Sequence, residues 1–388
     1  MQVFAINHPS GEIIPLLVDE DGLPIPSPNE FILSRRSLST NTLLRNTREL
    51  AVLYRWLKEH KIDLDLRIRS NKLFSEAEIN GSLVEYLRKD QASKKKVVSP
   101  HTFNLRLTTI RQYLIWLIDV HVSTLPMTDV RYELIHEAKN TLIRWTSKAF
   151  INAPKAGNIN RKSLSEKEVN FLLECLHPEN PEGFARFEAI KHRNYVMISL
   201  MLNCGLRPGE LLSLRVEDIQ IGAISAVTVT RRPPDPKDTR KPRPSIKRNS
   251  KIIPIEDPAL VRFIDGYIVE WREVLESTSQ KETDYLILSD EGQPLSHPTL
   301  TQLFTRLRAT YPNELPETLT PKALRHTFSC RMEQVLRKAG LEEDRRRQAL
   351  ALLRGDSSLE SQTVYIAQEI EDQARKALST YQKELMHG

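Results

Sequence analysis

Apolar residues within the first 150 positions return at helical spacing in four stretches. Leu43, Thr47, Leu50, Tyr54 and Leu57 share one helix face behind Ser39, whose hydroxyl suits an N-cap; the pattern predicts a helix of about 20 residues. Ser75 to Arg88, Thr102 to Val120 and Arg131 to Phe150 repeat the signal, the second with Leu107, Ile110, Leu114, Leu117 and Ile118. Four amphipathic helices predict a small bundle over 31–150, with Trp56, Trp116 and Trp145 as core anchors. Residues 1–30 read differently. Apolar stretches at Val3 to Ile6 and Ile13 to Val18, followed by Pro24, Pro26 and Pro28, predict a β-hairpin or an extended arm.

Periodicity is lost over 151–163, where Asn152, Pro154, Gly157 and Asn160 mark an interdomain linker. Ser165 and Glu168 have capping-box spacing and open a second domain, 164–388. Its pattern predicts a buried helix over Arg193 to Asn203, strands over Ala226 to Thr230 and Ser250 to Ile255, and a helix over Leu260 to Leu275. A strand over Tyr285 to Leu288 follows, then helices from Pro298, Pro321 and Leu341 and a last one from Ile370 to Met386. The fold class is therefore mainly α with a small antiparallel β-sheet (α+β). The stripe Ala374, Ala377, Leu378, Tyr381 and Leu385 suits packing on a neighbouring subunit.

A length of 388 residues agrees with two or three domains, and 40% hydrophobic against 27% charged residues is enough apolar material for packed cores. A membrane span needs roughly 18 to 20 apolar residues. The richest run, Tyr195 to Leu206, has 12 and is broken by Ser199 and Asn203, so a membrane protein is excluded. Met1 to Gly11 lacks a basic segment followed by an apolar one, so no secretory leader is expected. Cys175, Cys204 and Cys330 lie far apart, without CxxC spacing, and the ten histidines form no ligand pair. That pattern suits a reducing cytoplasm and gives no reason for a metal or cofactor.

Charge distribution changes the picture more than its total. Of the net +6, the segment Arg231 to Lys251 holds nine basic residues against Asp235 and Asp238, or 9 − 2 = +7, which leaves about −1 for the rest. Five prolines in that segment forbid a helix through most of it, so its charge is expected on a long loop facing a polyanion. Lys241, Arg243, Arg248 and Lys251 in this segment are candidate polyanion contacts. Lys94, Lys95 and Lys96, and the linker residues Arg161 and Lys162, are others.

Three segments carry chemistry: Cys204 to Leu211 (CGLRPGEL), Leu319 to Phe328 (LTPKALRHTF) and Leu353 to Tyr365 (LRGDSSLESQTVY). In this order they resemble the tyrosine recombinase (phage integrase) family, whose pattern is GLRxxEL, HxLRHT and GHSS with a Tyr nine residues after its His. The nine-residue interval is kept between Asp356 and Tyr365. The resemblance spans about 164–388, and it implies that 31–150 is a core-binding DNA-binding domain and 164–388 the catalytic domain. Metal-free cleavage of a phosphodiester needs cations on the nonbridging oxygens, a nucleophile and an acid for the leaving alkoxide, and guanidinium forks suit the first task. By resemblance, Arg207 and Arg325 clamp the phosphate and Tyr365 attacks to form a 3′-phosphotyrosyl DNA intermediate without ATP. Lys247, with Lys251 or Lys241 as alternatives, protonates the 5′-oxygen. Glu210 orients an arginine or the helix.

The chain departs from the family pattern twice. Lys322 replaces a His and can still donate to phosphate. Asp356 replaces a His or Trp, where a carboxylate repels phosphate unless a cation faces it; His326 is a candidate for the missing imidazole. The resemblance implies double-stranded DNA as partner, a tetramer on DNA, accessory proteins from the same mobile element and a nucleoid-associated cytoplasmic location. The two departures support a second reading, a catalytically impaired DNA-binding accessory or regulatory protein of the same fold.

Overall fold

In a computed structural model the described residues are 1–388 apart from 71, 91–96, 127, 130, 153–162, 247–249, 356–363 and 388; the side chains of 364–372 and 387 are also outside the description. The chain divides into two compact units, Met1–Asn158 with Pro234–Lys237, and Ile159–Pro233 with Asp238–Gly388.

In the first unit, β1 (Gln2–Asn7) and β2 (Ile13–Val18) form an antiparallel hairpin, with Gln2 opposite Val18 and Asn7 opposite Ile13. The helices are α1 (Pro26–Ser34), α2 (Thr40–Glu59), α3 (Leu64–Arg69), α4 (Val84–Arg88), α5 (Pro100–Ser123) and α6 (Arg131–Ala149); a π-helical turn, Ala77–Leu83, leads into α4. Ser39 caps α2 by accepting the Thr42 N–H, as its position predicts. Of the region read as a β-hairpin or an arm, β1 and β2 occupy 2–18 and only its end, from Pro26, is helical. Pro26 stands in the first helical positions of α1, where a missing N–H costs nothing. From α1, the Asn29 side chain accepts the Leu17 N–H at 2.8 Å and donates to the Leu17 carbonyl at 2.9 Å, taking the place of a neighbouring strand. Trp56 is fully buried, and Trp116 and Trp145 pack against the same core, so all three serve the bundle interior.

The second unit is built around α8 (Glu188–Cys204), whose residues from Arg193 to Cys204 are all buried. Around it lie α7 (Glu166–Leu176), capped by the Ser165–Glu168 box, α9 (Pro208–Leu211), α10 (Pro258–Gly266), α11 (Arg272–Glu276), α12 (His297–Thr310), α13 (Pro321–Lys338), α14 (Glu343–Arg354) and α15 (Val364–His387). Strands β3 (Ile219–Gln220), β4 (Ser225–Val229) and β5 (Lys251–Ile255) form an antiparallel sheet in that order, with Val227 opposite Ile253 and Val229 opposite Lys251. Tyr285 to Leu288 is not a strand of it. Tyr285 and Leu288 make isolated bridges to Arg215 and Pro294, because the buried apolar run is satisfied by loops on either side.

The apolar stripe of the last helix is covered by its own chain. Ala374, Ala377, Leu378, Tyr381 and Leu385 are buried in the core of this unit. The Tyr381 hydroxyl donates to the Leu202 carbonyl at 2.8 Å, and its ring meets Phe328 edge-on. An amphipathic face requires a cover without specifying whose, and here α8 and α13 supply it.

Candidate active site

Helix α8 ends at Gly205, in the left-handed region at φ 58°, and a Cβ there would fall 2.3 Å from the Phe328 ring on α13. Glycine thus lets the chain turn tightly against α13 and enter α9, where Pro208 begins the helix and Arg207 stands just before it. Glu210, one turn on, accepts the Arg207 N–H at 2.9 Å and the Arg207 Nη1 at 2.6 Å. From α13, capped by Thr320, the buried Arg325 donates through Nη1 to the Gly205 carbonyl at 2.6 Å.

A third cation arrives from the sheet. Side chains of a strand alternate between faces, and the alternation that buries Ile253 and Ile255 also turns Lys251 inward. Its side chain is only 8% exposed, and Nζ lies 3.4 Å from Glu210 Oε2. Gly355, closing α14 at φ 62°, leaves room for it, since a Cβ would come within 2.9 Å of the Lys251 stem. The three cations also meet at one carbonyl: Arg354 O accepts from Arg325 Nη2 at 3.1 Å, Lys251 Nζ at 3.3 Å and Arg207 Nη1 at 3.4 Å. Arg325 Nη1 lies 3.8 Å from Glu210 Oε2.

Among the described residues one carboxylate stands among these three cations, 3 − 1 = +2, in a largely buried pocket. Burial by itself pushes the Glu210 carboxyl up, but Lys251, the two Arg207 hydrogen bonds and Arg325 together hold it below the usual carboxylate value. Burial pushes the Lys251 ammonium down to about 8; Glu210 opposes that shift, and Arg325 and Arg207 add to it. A phosphodiester brings one negative charge and gains another as a nucleophile adds, which such a cluster stabilises.

The profile of the phage integrase family matches residues 162–336, the stretch that contributes Arg207, Glu210, Lys251 and Arg325. The tyrosine recombinase XerD of Rickettsia bellii is 26% identical over 306 residues, which cover 78% of this chain and 83% of XerD. Residues 162–336 are a phage integrase family domain. The tyrosine recombinase XerC of Ralstonia pickettii is 23% identical over 366 residues, covering 92% of this chain and 94% of XerC. Among solved structures, the Tn1549 transposon integrase in complex with circular intermediate DNA aligns with a TM-score of 0.54 at 17% identity, over 89% of this chain and 97% of that one; at that identity the likeness is one of fold.

Within this integrase-family site, the remaining sequence candidates are placed unequally. Tyr365 is the second residue of α15, and its side chain lies outside the described set. Lys247, Arg248, Asp356, Lys94, Lys95, Lys96, Arg161 and Lys162 lie outside the described residues. Lys322 is exposed on the first turn of α13. The His326 ring sits beside Cys330, with Nε2 3.8 Å from Sγ, a turn further along the helix.

The basic segment is also less free than its composition predicts. Arg232 pairs with Asp218 and Glu217, Arg243 Nε donates to the Asp238 carbonyl at 2.7 Å, Arg240 is buried and Lys251 belongs to the cluster; Lys241 is exposed. Counting charge along the segment misses acids that folding brings from outside it, here Glu210, Glu217 and Asp218. The period-two pattern Lys251, Ile253, Ile255 was the signal available for the inward lysine.

Proposed function

We propose that this recombinase cuts and rejoins double-stranded DNA at specific sites through a covalent 3′-phosphotyrosyl intermediate on Tyr365. The observation that carries the reading is the convergence of Arg207, Arg325 and Lys251 on one buried point, with the Glu210 carboxylate against all three. Arg207 and Arg325 clamp the nonbridging oxygens. The phenol gives up its proton to solvent and its oxygen bonds to phosphorus as the bond to the 5′-oxygen breaks, and the leaving oxygen takes a proton from Lys251. The bond energy stays in the phosphotyrosine, so religation needs no ATP. Residues 31–150 serve as the core-binding domain and 164–388 as the catalytic domain. Four copies act on two sites at the nucleoid to integrate or excise a mobile element, with accessory proteins from that element. Among the described residues no helix is long and apolar enough to cross a membrane.

The test is a duplex nicked beside the scissile phosphate, so that the short leaving strand diffuses away. The native protein is expected to accumulate a covalent adduct, and Tyr365→Phe to bind the duplex and form none. Binding without an adduct in the native protein would establish the accessory reading instead, which Lys322 and Asp356 motivate.

The acid role has its own signature. With Lys251 at about 8, adduct formation should fall as pH rises through that value, because the proton to be donated is lost. Replacing the leaving 5′-oxygen by sulfur removes the need for an acid, so Lys251→Met should regain activity on that substrate. If the sulfur substrate rescues Lys247→Met and leaves Lys251→Met inactive, the acid is Lys247.

A further inference from the structure

We propose that Arg240 is a positioning residue for the phosphate clamp, acting through α9; the inference rests on the roles given above to Arg207 and Glu210. Helix α9 has four residues, far below the length at which a helix holds itself together in water. Yet it sets the geometry of the site, because Arg207 enters it and Glu210 is its third residue. Its terminal carbonyls need partners from outside.

Arg240 provides one. Its Nη1 donates to the Leu212 carbonyl, at the end of α9, at 2.8 Å, and to the Leu295 carbonyl, before α12, at 2.9 Å. The rest of the guanidinium is equally committed. Nε and Nη2 grip the two Asp238 carboxylate oxygens at 2.9 Å each, and the group lies 4.3 Å over the Tyr285 ring. Arg240 and Asp238 are 7% and 6% exposed, so this cation does not face DNA phosphate although it sits in the most basic stretch of the chain. A short, fully used fork of this kind fixes direction as well as distance.

The same segment holds α9 at a second point. Arg243 Nε ties back to the Asp238 carbonyl, and beyond it the backbone of Ser245 crosses Gly209, where a Cβ would lie 2.8 Å from the Ser245 oxygen. Residues 238–245 therefore clasp α9 at its carbonyl end and across Gly209. Loss of the clasp leaves Arg207 and Glu210 in place chemically but free to drift, and a drift of about 1 Å at a reacting centre can cost about a hundredfold in rate.

The experiment uses the full chain and the nicked duplex, and measures the adduct rate at saturating protein, duplex affinity with its salt slope, and the thermal midpoint. Arg240→Ala should slow the adduct rate about ten- to a hundredfold per bound complex, with affinity and salt slope unchanged. Arg240→Lys, which keeps a cation near the Leu212 carbonyl, should recover much of the rate. Asp238→Asn, which loosens the fork without removing it, should give a smaller loss and keeps the test open if the alanine variant does not fold. A lowered midpoint with an unchanged rate per bound complex would show a structural role only and overturn the proposal. So would weakened binding with a shallower salt slope, the mark of a direct phosphate contact. A native protein that forms no adduct would sink the recombinase reading instead.

Discussion

Replacing Arg207 or Arg325 by alanine is expected to slow covalent attachment to the nicked duplex by about a hundred- to a thousandfold, the usual cost of losing one preorganised donor at a developing oxyanion. Duplex binding should change little, because affinity is spread over many phosphates and one lost contact lowers the salt slope by only about one. Each arginine is already fixed before DNA arrives: Arg207 by Glu210 and Arg325 by the Gly205 carbonyl. Alanine therefore removes charge and preorganisation together. Lysine at 207 should recover only part of the rate, since an ammonium cannot form the planar fork. Parallel loss of binding and adduct would mark the arginine as a support of the fold. Comparable adduct rates in native and alanine proteins would remove it from the site.

Glu210→Gln should cost the most stability of any single change at the site. Among the described residues Glu210 is the acidic side chain in contact with Arg207, Arg325 and Lys251, and its side chain is 3% exposed. Removing one partner of a buried ion pair costs about 3 to 5 kcal/mol. Denaturant titration should show the midpoint falling with an unchanged slope. The sign of the accompanying pH effect follows from the same contact. Glu210 raises the Lys251 pKa against the burial that lowers it, so in the variant the lysine falls below about 8 and the alkaline loss of activity moves to lower pH. A midpoint that does not move would mean that the Arg354 carbonyl and solvent neutralise the cluster without the carboxylate.

Much of the site could be read from local sequence because its geometry is set locally. A helix that ends at Gly205 and restarts at Pro208 places Arg207 and Glu210 within one turn of each other, and Thr320 followed by Pro321 starts the helix that presents Arg325. Interactions that depend on distant chain were not readable in the same way. Nothing near Arg240 announces the carbonyls of Leu212 and Leu295, and nothing near Lys251 announces Glu210 or the end of α14. Prolines at 24, 26 and 28 suggested extended chain because helix breaking inside a helix and helix starting at its first turn use the same residue. The apolar run Tyr285 to Leu288 suggested a strand because a short buried run looks the same whether ladders or loops satisfy its backbone.

One contact of α15 bears on how the small sheet survives in solution. Strand β5 lies at the rim of its sheet, bonded to β4 on one side. On α15, Gln382 is fully buried, and its amide accepts the Glu256 N–H at 3.1 Å while donating to the Pro254 carbonyl at 3.1 Å. These are the groups that an intruding strand would use to zip onto the rim. The glutamine bolts that edge shut, so the cationic cluster can sit beside a β-strand without offering a template for aggregation.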